Sequence, residues 1–461
     1  MTATPPAAAL PFLDHWADPP TTLPLWVTSL RRAGLARYQA LGGTPTPKVE
    51  AWKYTNLKPL AMRSYRRAEG AGRETAAVAS LPTESLLSVA GPRLVLVNGR
   101  LSPALSSPLN DLPDGLTVEP LAEALLNDSS GLEGLLLSPG NAPAMAALNT
   151  AWLEDGLVVR YEGGLAIDQP LHVVLVSAPQ ADAFPILTHP CLVVMAEGGS
   201  RATLIESHIG LGPSLVNMVG LVHVEAGAAF AHVLAQSGAC ETDVIGFTAV
   251  EVAKDGLYQR FTLTTGLGLV RNELLVTLGG TGAACRLHGA YTADGNRHVD
   301  NTIVVDHTAP ATTSRQMFKG VLDGNGRGVF QGCIGVRPAA QKSDGYQLHK
   351  ALLLSPQAEV DCKPELEIYA DDVRCSHGAT AGALDEDALF YLRARGLDVD
   401  TARALLIEAF LDDVIDAVAA DLPGLSEAAR IMVSAWLASR MAPHQLKGDS
   451  VLAGNGQERP E

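Results

Sequence analysis

The sequence predicts a mainly β chain with helical ends, and the preferred architecture is a parallel β-helix core. Three observations predict it. Between about residues 157 and 368 short aliphatic runs follow one another, with Gly, Asn, Asp or Pro at most junctions, among them Gly163-Gly164, Gly198-Gly199, Gly279-Gly280, Asp294-Gly295 and Asp323-Gly324. No helical period interrupts this series, which excludes alternating βαβ units, and few Asn-Gly or Asp-Gly turns join the runs as antiparallel hairpins would. Continuous and alternating apolar patterns are mixed, as stacked coils around a dry interior require. No internal repeat of fixed length is visible, so pattern alone leaves a large sandwich or barrel open.

At 461 residues the chain is long enough for two or three domains or one long β domain with helical ends. A 47% hydrophobic content with only 5% aromatics implies an aliphatic core. The net charge of −16, with no compact Lys/Arg patch, argues against nucleic-acid binding through phosphate neutralisation. Six scattered cysteines without a C-x-x-C pair read as free thiols in a reducing compartment. The first twenty residues lack a basic segment followed by an apolar one, and no apolar run reaches about 18 residues. A cytoplasmic protein that does not engage membranes is therefore expected.

Residues 1–20 are rich in Pro and Ala and read as irregular. Leu25–Leu41 reads as a helix stopped by Gly42-Gly43. Glu50–Leu60 reads as a docked linker, and residues 64–90 as a mobile connector, so 1–90 form an N-terminal helical region. The β core spans 91–380, with a helical patch near 121–152 in which Asn141 is a candidate N-cap. Past Asp385 the period turns helical, giving a C-terminal domain over 381–443. Asp385 caps Ala388–Arg395, Asp400 caps Ala402–Ala419, and a third helix covers Ala428–Met441. Leu405, Leu406, Ala409, Phe410, Val414 and Val418 make the apolar face of the second helix. Residues 444–461 read as a disordered tail.

The chain lacks a phosphate-binding loop, a dinucleotide fingerprint, a nucleophile elbow and an H-E-x-x-H motif. Gly324-Asn325-Gly326-Arg327-Gly328 is a turn, since no G-K-[ST] end or helix follows it. Asp300, Asp306, His298 and His307 read as the solvated face of a sheet, with a metal or acid–base role as the sharper alternative. Strand carboxylates would suit a β-helix carbohydrate-active enzyme, but such an enzyme needs an aromatic-lined cleft. Cys375 and His377 remain. Two positions apart on a strand, they share one face, and thiolate with imidazole suits Zn or iron–sulfur chemistry. Two ligands do not complete a tetrahedral site. A core cysteine beside a hydrogen-bonded histidine is the plainer alternative.

One ordered set of short motifs adds to this. Phe330-Gln331-Gly332, Gln341-Lys342-Ser343-Asp344, Leu352-Leu353-Leu354-Ser355-Pro356, Pro364-Glu365-Leu366-Glu367-Ile368, Ala370-Asp371-Asp372-Val373, Cys375-Ser376-His377-Gly378-Ala379-Thr380 and Leu389-Phe390-Tyr391-Leu392 follow one another in the last third. Together they resemble the SufB/SufD family, scaffold subunits of the Suf iron–sulfur cluster assembly machine. Trp52-Lys53-Tyr54-Thr55 is similar to the N-terminal signature of the SufD side of that family. SufB members have a glutamate where Gly378 stands, and an assembly cysteine near the position of Ala358; Cys362 lies four residues further on.

The resemblance implies a right-handed parallel β-helix flanked by N- and C-terminal α-helical domains. It implies pairing with SufB through the β-helix and docking of the SufC ATPase through the C-terminal helices; homodimerisation of the isolated chain is left open by the sequence. His377 matches the family histidine implicated in nascent cluster assembly, and Cys375 shares its motif. His377 is thus expected to ligate iron jointly with SufB. Phe390, Leu405, Phe410 and Val414 are expected in the SufC-docking region. The chain is expected to be a non-catalytic scaffold that holds no permanent cofactor and leaves ATP to SufC.

Overall fold

A computed structural model describes residues 12–13, 23–68, 87, 89–127, 131–136, 142–153, 156–179, 184–419 and 425–441. The expectations for residues 1–11, for most of the connector, for Asn141 and for the tail fall outside these residues. The opening strands are β1 (Arg66–Arg67), β2 (Arg93–Val97), β3 (Arg100–Leu101), β4 (Leu116–Pro120), β5 (Gly156–Tyr161), β6 (Leu171–Ser177) and β7 (Ile186–Thr188). Then come β8 (Cys191–Ala196), β9 (Arg201–Gly210), β10 (Ser214–Val224), β11 (Ala229–Gly238), β12 (Thr242–Val252), β13 (Leu257–Thr264) and β14 (Leu269–Leu278). The last are β15 (Ala284–Ala293), β16 (His298–His307), β17 (Thr313–Leu322), β18 (Arg327–Val336), β19 (Asp344–Leu353), β20 (Glu359–Ile368) and β21 (Arg374–Gly382).

Two sheets wind together as a β-solenoid of about seven turns. One runs β20-β18-β16-β14-β12-β10-β8-β5-β4, the other β21-β19-β17-β15-β13-β11-β9-β6-β2-β3. From β8 onward every strand pairs in parallel with the strand two places later, at register offsets that run from 26 residues (Val244 to Val270) to 32 (Arg327 to Glu359). This spread hides the repeat from the sequence. The strands stay near ten residues, while the turns between them change length, so no fixed period survives.

Alternate side chains of both sheets point into the solenoid, where Val194, Phe230, Tyr258, Leu287, Ile303 and Phe330 form one apolar column. The outer face of the first sheet is covered by the N-terminal elements and the helices that precede β5. These are α1 (Leu25–Ala40), α2 (Lys58–Ala61), α3 (Leu121–Leu126), α4 (Leu132–Leu135) and α5 (Ala144–Trp152). The C-terminal helices are α6 (Glu386–Ala394), α7 (Val399–Ala419) and α8 (Leu425–Met441), and α7 and α8 pack on the outer face of the second sheet. Middle strands are therefore buried on both faces, which is why they read as unbroken aliphatic runs. Each fully buried Leu, Val or Phe contributes roughly 1.5–3 kcal/mol.

Several expectations change. Arg66 and Arg67, placed in a mobile connector, form β1 and pair with Ile186 and Leu187. The helical patch is three separate helices, and Pro143 occupies the N-cap position of α5. Asp385 caps α6 by accepting from the Asp387 and Ala388 amides. For α7 the capping carboxylate is Asp398, not Asp400: it accepts from the Thr401 amide at 2.9 Å. Asp400 lies inside the first turn, where a negative charge still favours the helix dipole.

Candidate functional site

The solenoid ends at β20 and β21, one strand from each sheet, and among the described residues no further strand pairs with them. Inward positions on the last rungs follow from the register. His349 on β19 stacks on Phe330 of the opposite sheet at 4.8 Å, so 345, 347 and 349 face inward. Cys375, His377 and Ala379 pair with Gly345, Gln347 and His349 and share that orientation. On the other sheet Cys362 pairs with Phe330 and packs against the interior column. The open end thus presents Cys362 from β20 and Cys375 and His377 from β21.

These three side chains differ in environment. Burial pushes the Cys362 thiol up to about 11. Cys375 is half-buried beside Ile334, Val336 and Leu366. Burial raises its thiol too, and a hydrogen bond with the Gly345 backbone offsets part of that. His377 is exposed. Both thiols are therefore protonated near neutral pH until a metal or a positive neighbour displaces the proton. Among the described residues no three His, Cys, Asp or Glu side chains come together as a metal-binding group. Within this chain Cys362, Cys375 and His377 line one opening without forming a closed ligand set.

The rung beneath is polar. Gln347 is fully buried, neither atom of its carboxamide has a protein partner, and Gln316 one rung lower is in the same state. Gly332 on the opposite sheet makes room for Gln347, since a Cβ there would collide with the Gln347 carboxamide. Burial also holds the His349 imidazole neutral, with its pKa down at about 4.

The N-terminal segment reaches this end from the outside. Trp52 is buried, and the Arg271 guanidinium lies over its ring at 4.0 Å. Arg271 also donates to the Ala51 carbonyl at 2.9 Å and pairs with Asp300, which accepts from Thr55 and Thr302. Further along, Glu50 pairs with Lys363 of β20 at 2.6 Å. The docked-linker expectation for Glu50–Leu60 matches this geometry. The solvated-face expectation for Asp300, His298 and His307 does not. Asp300 and His307 are fully buried, His307 is hydrogen-bonded to Thr312 and Ser314, and Asp306 is held by Arg337 at 2.8 Å. Each carboxylate is committed to an arginine, so Asp300 and Asp306 are not poised as an acid–base pair for a carbohydrate substrate. Sequence reasoning missed this anchoring because Arg271 and Trp52 are more than two hundred positions apart.

The four helical residues of interest fall in three environments. Phe390 on α6 is 75% exposed and Leu405 on α7 is 44% exposed. Phe410 is half-buried over Lys319. Val414 is fully buried with Ile407, Leu411 and Ile415 against the second sheet. The expected apolar face of α7 is therefore split: its packed stripe runs through Ala402, Ile407, Leu411, Val414 and Ile415. Because Val414 belongs to that core, it offers no surface to a partner while α7 is docked.

Fold and site together define a parallel β-solenoid protein with an open end lined by thiol and imidazole groups and capped laterally by helices. The SufBD core domain of the SUF iron–sulfur cluster assembly system matches residues 179–410, and the SufBD protein N-terminal region matches residues 23–173. The chain belongs to the SufBD family of iron–sulfur cluster assembly proteins. It is similar to an iron–sulfur cluster assembly SufBD family protein of Synechocystis, with 30% identity covering 84% of this chain and 87% of that protein. It is 28% identical to the iron–sulfur cluster assembly protein SufD of Escherichia coli, over 82% and 86% of the two chains. It is also 29% identical to the chloroplastic protein ABCI7 of Arabidopsis thaliana, over 87% and 84%. No described helix is long and apolar enough to cross a membrane.

Proposed function

We propose that this chain is a non-catalytic scaffold subunit that pairs with SufB through the open solenoid end and docks the SufC ATPase through its C-terminal helices. The observation that carries the reading is the unpaired edge of β20 and β21 with Cys362, Cys375 and His377 facing inward beside it. An unpaired edge in two sheets at once is a template for a second solenoid. The incomplete ligand set is what a site shared between two chains looks like from one side.

In this reading the nascent iron–sulfur cluster is cargo. His377 offers an imidazole nitrogen, and thiolates from SufB supply the other ligands. Cys375, more buried and held protonated, is the weaker candidate. Phe390 and Leu405 form the exposed apolar part of the SufC-docking surface, flanked by the half-buried Phe410, while Val414 secures α7 from beneath. ATP binds SufC and not this chain. The isolated chain homodimerises through the same edge, and the complex works in the reducing cytoplasm.

The test is co-expression with SufB and SufC from the same genome, followed by affinity capture. Recovery of all three chains, loss of SufC alone in Phe390→Ser/Leu405→Glu, and normal assembly with impaired cluster formation in His377→Ala are expected. Capture of SufC by the doubly substituted chain removes the docking assignment, and normal cluster maturation in His377→Ala removes the site.

A further inference from the structure

We propose that Lys319 is a release latch for the C-terminal helix pair. It registers α7 on the second sheet, yet makes that contact easier to open than an apolar side chain would. The proposed link to SufC docking rests on the functional reading above; the latch itself does not.

Lys319 projects from the outer face of β17 and is buried. Its Nζ donates to the Phe410 carbonyl at 2.6 Å and pairs with Asp413 at 2.6 Å, and it lies 4.6 Å from the centre of the Phe410 ring. Beside it, Leu411 and Val414 on the helix side and Val321 on the sheet side belong to one apolar cluster, and Lys350 is its cross-strand neighbour on β19. An ammonium under a helix loses its hydration, and its counter-ion does little to offset the loss. Asp413 is 69% exposed, so solvent screens the attraction. When α7 lifts, Nζ regains water. A methionine in its place would expose apolar surface instead. The lysine therefore narrows the free-energy gap between docked and lifted helices.

Its position gives the opening a consequence. Lys319 is the register partner of Lys350 on β19, which pairs with Thr380 on β21, three residues from His377. The latch thus joins the helix carrying Leu405 and Phe410 to the strand ladder that ends at the open mouth. A second tie, from Arg440 on α8 to Asp323 and Asp294, holds the other end of the pair.

Native-state hydrogen exchange of the full chain tests this. Lys319→Met should slow exchange of the α7 amides at least about fivefold, since replacing a buried ion pair by a packed hydrophobe is commonly neutral to stabilising. Asp413→Asn should change it less than about threefold, since a pair whose carboxylate is 69% exposed is worth little and the Asn oxygen still accepts. Lys319→Leu serves as a second variant, with circular dichroism reporting that both fold. Exchange in the folded Met and Leu variants at the wild-type rate or faster overturns the latch, as does exchange at least about fivefold faster in Asp413→Asn, which would mean that the ion pair holds the helix rather than easing its release. Failure of SufC docking in the Phe390→Ser/Leu405→Glu chain would leave these rates untouched, so the two readings fall separately.

Discussion

His377 stands one rung above Gln347, its register partner, yet the two side chains meet opposite conditions: Gln347 is fully buried and His377 is exposed. Both face inward on the same column. The difference is only that a rung covers Gln347 and none covers His377. An inward side chain on the last rung of a solenoid is a core position without its lid, which is how a chain offers a group to a partner without building a pocket.

His377→Ala should therefore leave the fold almost unchanged, within about 0.5 kcal/mol in a denaturant titration, as for an exposed residue without a structural partner. A loss beyond about 2 kcal/mol would mean the ring packs, and the shared-ligand reading would lose its basis.

Gly332→Ala tests the polar floor beneath it. The new Cβ meets the Gln347 carboxamide, and overpacking of this kind costs about 1–3 kcal/mol. Gly332→Ala combined with Gln347→Ala should recover part of that loss. Absence of recovery in the double variant would show that the contact is not what makes glycine necessary.

Arg271 and Asp300 are both fully buried. Asp300→Ala leaves the guanidinium with Glu273 and the Ala51 carbonyl only, and should cost about 3 kcal/mol. The same variant should free the segment around Trp52, seen as a red shift of tryptophan emission with increased exchange over residues 50–57. An unshifted emission would separate the anchor from the network.

Three buried histidines make the solenoid acid-sensitive. Burial lowers His172, His307 and His349 to about 4, against an ordinary value near 6.5. Between those values the unfolded chain binds protons that the folded chain does not, so stability falls as pH drops through 6.5 and levels off below 4. From pH 7 to pH 5 the loss should be on the order of 2 kcal/mol per histidine. Urea midpoints at pH 7, 6 and 5 check this, and His349→Gln should flatten the slope. A midpoint independent of pH would mean these rings are hydrated.

Much of the architecture was legible in the residues. The aliphatic runs, their glycine and aspartate junctions and the change of period near Asp385 place the strands within a few residues and locate the helices. Ladder hydrogen bonds extend most strands beyond the aliphatic run, as with β20, which starts at Glu359 although its sequence signal is only Leu366–Ile368. The polar strand β21 was visible only as a motif, because inward positions on an open rung need not be apolar.

By itself the sequence determined most of the long strands and the terminal helices, that Cys375 and His377 share a face, and that Trp52-Lys53-Tyr54-Thr55 docks somewhere. Only the tertiary structure decided that Arg271 and Asp300 receive that segment, that Val414 is core while Leu405 is surface, and that Gln347 lies under His377. The physical reason is range. Periodicity and capping act over a few residues, whereas solenoid pairing joins positions 26 to 32 apart through turns of changing length. The anchoring network spans more than two hundred, and no local pattern carries that information.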